Sequence, residues 1–111
     1  MIDGRRVIDV HVHAARLPSL KLTRDQWLQG FGDPASLYDE DGSVNPGRFH
    51  AYLRDEGVDT ALVLAEYSPK VTGIQPVEDM LPLVEHDPAR VRFIANVNPH
   101  MHYPAEEELR R

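Results

Sequence analysis

Val7-Ile8-Asp9-Val10-His11-Val12-His13, "VIDVHVH", decides how the chain is read. The β-branched residues favour an extended segment, and alternation along a strand places Asp9, His11 and His13 on one face and Ile8, Val10 and Val12 on the other. One face is then oily and the other chemical. An acid and two imidazoles on a strand that is otherwise suited to burial need hydrogen bonds, water or a metal ion.

Similar apolar runs recur downstream. The first strand, about Arg6 to Val12, is followed by a polar, Gly- and Pro-bearing segment from Ala14 to Val44. That is longer than the ~12 to 15 residues usual for a connection, which points to a functional loop or a flap. Within it Thr23-Arg24-Asp25-Gln26 has the form of a capping box for a short helix carrying Trp27 and Leu28 and stopping at Gly30. Trp27, Phe31 and Tyr38 either form a flap or pack this loop onto the body.

Asn45 as N-cap and Pro46 in the first turn start a helix with Phe49, Tyr52 and Leu53 on one face, ending at Gly57. The run Val58 to Ala65 suits a strand covered on both faces. Pro76 opens a second predicted helix with Val77, Met80, Leu81 and Val84 at helical spacing, stopped by Asp87-Pro88. A third strand, Val91 to Val97, precedes a third helix opened by Pro104 and Glu106 to Glu108.

The pattern predicts an α/β fold of βαβαβα parallel units with right-handed crossovers. Three such strands leave open edges and an uncovered face. The chain, residues 1–111, is thus expected either to pair with copies of itself or to be the N-terminal part, a single partial domain, of a barrel that in full needs roughly 250 residues.

Composition narrows the chemistry. A net charge of -6, with no basic run longer than a pair such as Arg5-Arg6, argues against nucleic-acid binding and membrane attraction. There is no cysteine, so any metal is held by nitrogen and oxygen donors. The absence of a signal-peptide core and of a membrane-length apolar run leads to a cytoplasmic expectation.

His11 and His13, at i and i+2 on one strand face, can converge on a divalent cation at the strand's C-terminal end. Zinc leads, with manganese and iron allowed by the same donors. Asp9 reads as a carboxylate that accepts from a metal-bound imidazole and so orients it, or as a polar residue paired to its surroundings. Arg16 can pair with a substrate carboxylate through its planar fork or stay a solvated loop residue. Glu66 and Tyr67 after the second strand, and Asn96 and Asn98 after the third, can reach the same end of the sheet, and the asparagines serve equally well as turn residues. His100 and His102 form a second H-x-H between Pro99 and Pro104, read as loop, with His100 a substrate contact. His50 and His86 fall in helices and read as surface residues.

The "IDVHVH" at the end of the first strand resembles the signature of the amidohydrolase superfamily, in particular the amidohydrolase-related branch that includes metal-dependent decarboxylases. The long first loop, "ALVLAEYSP" and "FIANVNP" are compatible with that likeness. The resemblance implies a (β/α)8 TIM barrel whose first three strands lie in this chain, with His11 and His13 as the first two metal ligands. It implies hydrolysis of a C–N or C–O bond of a small-molecule substrate by a metal-activated water. A non-oxidative decarboxylase of the same fold is the close alternative. The further histidines, a late aspartate and the acid/base residue of such enzymes would lie beyond Arg111, so the 111-residue chain alone is expected to be inactive. Two other readings stand beside it: a phosphoesterase barrel gathering several metals, in which His100 and His102 would matter, and a non-catalytic metal-binding or assembly module.

Overall fold

The computed structural model describes residues 1–21, 25–26, 34–102 and 104–110. The capping-box helix, with Thr23, Arg24, Trp27, Leu28 and Gly30, and the aromatic residue Phe31 lie outside the described residues, apart from Asp25 and Gln26.

Three parallel strands form the central sheet: β1 (Ile8–Val12), β2 (Thr60–Leu64) and β5 (Val91–Ile94), in the order β1-β2-β5. Between β2 and β5 the chain makes a separate antiparallel ribbon of β3 (Glu66–Ser68) and β4 (Gly73–Gln75). The described helices are α1 (Pro46–Asp55), α2 (Leu81–His86) and α3 (Ala105–Leu109).

This corrects the expected run of βαβαβα units, and with it the assignment of the chain as the first three strands of a (β/α)8 barrel built from such units. Two local causes account for the difference. Ser68-Pro69-Lys70-Val71 folds into a turn closed by the Val71 N–H to Ser68 carbonyl bond of 3.0 Å, with proline at the position where its fixed φ suits a turn. Tyr67 then lies opposite Ile74 in a hairpin where a loop was expected. The second cause is Pro82, which lacks an N–H and whose ring would collide with the carbonyl four residues back. The predicted helix from Pro76 is therefore split into a 3-10 turn at Val77–Asp79 and the short α2.

Helix α1 is capped as its sequence suggests: the Asn45 side chain accepts the Arg48 N–H at 3.0 Å, and Pro46 occupies the first turn. Its buried face differs from the expected one. Phe49, His50 and Leu53 are buried, whereas Tyr52 is 48% exposed. The core gathers Phe49 and Leu53 of α1, Ala61 and Val63 of β2, Val91 of β5, and Met80 and Leu83 at α2. Val12 and Tyr67 pack against its margin.

The helices cover the sheet face that carries Ala61, Val63 and Val91; the other face is open. Ile8 and Val10 of β1 are 52% and 62% exposed, and Ile94 of β5 is also exposed. The long segment after β1 is tied down at several described points. Leu17 N–H bonds the Gly42 carbonyl at 2.9 Å, Lys21 N–H bonds the Thr72 carbonyl at 2.9 Å, and Leu20 bridges Gly73. Tyr38 pairs with Val44 and is half-buried.

Candidate metal site

Parallel strands deliver their C-terminal ends to one edge of a sheet. His11 and His13 at the end of β1, Glu66 and Tyr67 after β2, and Asn96 and Asn98 after β5 therefore emerge on the same side.

The strand β1 does not alternate evenly. Its register against β2 runs Ile8 to Thr60 and Asp9 to Ala61, then slips so that Val12 meets Val63. Val12 thereby joins the core side, away from Ile8 and Val10, and its two neighbours His11 and His13 point to the opposite, solvent-facing side. The expected oily face of Ile8, Val10 and Val12 is thus corrected: a bulge-like irregularity, which no residue pattern announces, separates Val12 from the other two.

The two rings face each other. Their Nε2 atoms are 3.0 Å apart, the ring centroids 5.0 Å apart, and the planes are inclined by 62°. Without a cation this is a hydrogen bond in which one neutral imidazole donates and the other accepts. With Zn–N bonds of about 2.1 Å, nitrogens at the observed separation would subtend about 90° at an ion, and an opening to about 3.4 Å would give the tetrahedral angle. The donor type, accessibility and convergence of the pair fit a divalent cation. Asp9 accepts the backbone N–H of His11 at 3.1 Å, so its carboxylate braces the chain beside the first imidazole. Among the described residues no group of three or more His, Asp or Glu side chains is close enough to hold a metal.

A second group forms around Tyr67. Asn98 donates its side-chain N–H to the Tyr67 carbonyl at 3.0 Å and accepts the His100 backbone N–H at 2.9 Å. The Asn98 N–H goes to His102 Nδ1 at 2.9 Å, which leaves the neutral ring's proton on Nε2. The His102 ring meets Tyr67 edge to face, with centroids 4.5 Å apart. Burial raises the Tyr67 pKa, and the negative charges of Glu78, Glu108 and Asp79 push the same way. His100 itself is exposed. The Glu66 carboxylate accepts the Thr72 hydroxyl across the ribbon.

Arg16 lies elsewhere, on an open cleft of ≈ 290 Å³ that begins at Ala14, one residue past His13, and is shared with Asp39, Glu78 and Asp79. Asp41 is held below the usual carboxylate range, first by the Ser43 N–H at 2.9 Å and then by the Ser43 hydroxyl, with Arg16 adding a smaller pull. The cleft was not legible beforehand, because Glu78 and Asp79 are neighbours in a short 3-10 turn and Asp39 stands in a distant loop, a pattern with no spacing signal for a shared cleft.

His50 also departs from expectation. It is 1% exposed, inside the contact between α1 and α2, and its Nε2 meets the Leu83 carbonyl at 2.7 Å. His86 is exposed, as a surface residue would be. No family model, curated protein or solved structure matches the chain. No helix among the described residues is long and apolar enough to cross a membrane.

Proposed function

We propose that His11 and His13 are two ligands of a divalent metal centre, zinc first, in a metal-dependent hydrolase of the amidohydrolase type acting on a C–N or C–O bond of a small molecule in the cytoplasm. The observation that supports this most directly is the 3.0 Å approach of the two Nε2 atoms at the C-terminal end of β1. A bound cation would supply an acidified water and a polarised carbonyl. The chain's own contribution is positional. The pairing of Val12 with Val63 fixes the backbone between the imidazoles, and the Asp9 carboxylate steadies the His11 amide. Arg16, on the separate cleft that begins at Ala14, offers a fork for a substrate carboxylate. Tyr67 and Asn98, with His100 on the same loop, form a second wall at the same end of the sheet, with Glu66 beside them.

Two imidazoles are fewer than the three protein ligands usual for catalytic zinc, and no group of three His, Asp or Glu side chains is assembled among the described residues, so this reading needs further ligands and a general base beyond those that stand at the pair. The same observation favours a second reading, a non-catalytic metal-binding module whose exposed Ile8, Val10 and Ile94 serve assembly.

Titration calorimetry with Zn²⁺ tests the metal assignment. One ion per chain is expected, and the double variant His11→Ala, His13→Ala, which removes both imidazole donors, should lose that binding. Equal binding by the variant would refute it. Metal-dependent turnover of an amide or ester panel, against release of carbon dioxide from aromatic acids, separates hydrolase from decarboxylase; metal binding without either favours the module.

A further inference from the structure

The buried histidine of α1 has no part in the metal proposal, and its surroundings are unusual. Leu83 O can only accept, so the 2.7 Å contact requires the proton of the neutral His50 ring to sit on Nε2. That leaves Nδ1 as a lone-pair nitrogen, buried and without a hydrogen-bond partner. The ring is packed against Phe49 on its own helix, with centroids 6.1 Å apart, and against His86 of α2 at 4.7 Å.

We propose that His50 is an acid-sensitive latch: a proton taken from solvent onto Nδ1 releases α1 from α2. Protonation turns the orphan acceptor into an N–H donor with no acceptor to meet it, and places a full charge inside the core contact.

The charged and titratable groups that face the ring reinforce this. Across the interface, His86 lies against the ring and disfavours a positive charge on it. Arg90, on the segment after α2, is a further unfavourable cation. Asp87 favours the charged ring, but its carboxylate is already engaged with the Ala89 N–H at 3.1 Å and lies 3.9 Å from the Arg90 guanidinium. Arg54, a turn further along α1, is exposed to solvent.

Burial, the largest influence, holds the His50 pKa below 6.5, with His86 and Arg90 adding to the shift against the opposing pull of the Leu83 bond and Asp87. The folded state therefore binds this proton less readily than the unfolded chain. The latch is fully closed above the unfolded value, weakens as pH falls below it, and changes no further once pH is under the folded value. Separation of the helices bares Phe49, Leu53 and Leu83, all buried when it is shut.

The experiment is a pH series from about 7.5 to about 5, across the histidine range, on the native chain, reading the imidazole nitrogens of His50 by NMR together with amide exchange in α1 and α2. The expected result is titration of His50 below 6.5 and an opening equilibrium that grows by up to about tenfold per pH unit in the window. His50→Gln, which keeps an N–H for Leu83 O and cannot titrate here, should abolish that pH dependence, and His86→Gln should make it shallower. An ordinary His50 titration with α1 exchange indifferent to pH would overturn the proposal, as would a His50→Gln chain that keeps the native pH slope. Should that variant fail to fold, the ring titration and exchange of the native chain decide the matter alone.

Discussion

Replacing Gly73 with alanine tests whether the ribbon and the long segment after β1 are one structural unit. Gly73 opens β4, is buried, and has φ of +116°, a conformation that side chains with a Cβ rarely adopt. A Cβ there would stand 2.3 Å from the Ser19 carbonyl oxygen and 3.2 Å from the Lys21 nitrogen, both backbone atoms that cannot rotate away. Because ordinary contact begins at 3.4 Å, the 17–21 segment must retreat by about 1 Å. That stretches the 2.9 Å Lys21 to Thr72 bond and breaks the Leu20 to Gly73 bridge. The backbone strain costs about 1–3 kcal/mol, and the weakened hydrogen bonds about 1 kcal/mol each. Together these amount to about 3–5 kcal/mol, a large share of the ~5–15 kcal/mol typical of a domain. With a urea m-value of about 2 kcal/mol/M, the midpoint should fall by about 2 M. Gly4→Ala is the control: Gly4 has φ of +74° but no atom within 4 Å of an added Cβ, so only the conformational cost, about 1 kcal/mol, applies. Equal midpoints for the two variants would refute the close packing of Ser19 on β4.

Asn45→Ala removes the α1 cap and its 3.1 Å bond to Asp39, and should lower stability by about 1 kcal/mol in the same urea assay, whereas Asn45→Ser, which keeps an oxygen to accept the Arg48 N–H and sets no charge against Asp39, should lose less. Asp59 is held below the ordinary carboxylate value of 3.8, first by the Val7 N–H at 2.8 Å and then by the terminal ammonium at 3.0 Å. The folded state thus binds that proton less readily, and its contribution is present above 3.8 and lost as pH falls through the folded value. Asp59→Asn should therefore flatten the acid limb of stability below pH 4, measured by thermal unfolding.

The strands of the parallel sheet were legible because the apolar runs beginning at Ile8, Thr60 and Val91 all contain β-branched residues and are bounded by turn or helix signals. The ribbon was not, since strands as short as Glu66–Ser68 and Gly73–Gln75 carry too little periodicity to stand out from a loop. Its one signal was Ser68-Pro69, a turn start between residues with β preference. On α1 the error came from ranking Tyr52 above His50 for burial by residue type. The helix turned the other way because His50 finds the Leu83 carbonyl, a partner from a distant segment that no local pattern contains.

The histidine pair shows why a motif can be informative while the argument behind it is incomplete. Strict alternation would have kept Asp9, His11 and His13 together, yet the slip between Asp9 and Val12 shifts the strand against β2. Only the spacing of two between His11 and His13 needs to be preserved for their rings to converge, and the slip ends at Val12, between them. Asp9 lies on the far side of the irregularity and spends its carboxylate on the His11 backbone. The short-range part of the pattern therefore survives a change of register that its longer-range part does not, and metal affinity should respond far more to the residue between the imidazoles than to the strand before them. Val12→Gly removes the side chain that anchors this link to the core, and should loosen the placement of the two rings and weaken Zn²⁺ binding, whereas Val10→Thr, at an exposed position, should leave both unchanged. Equal Zn²⁺ affinity in the two variants, by calorimetry, would show that the core does not set the geometry of the pair.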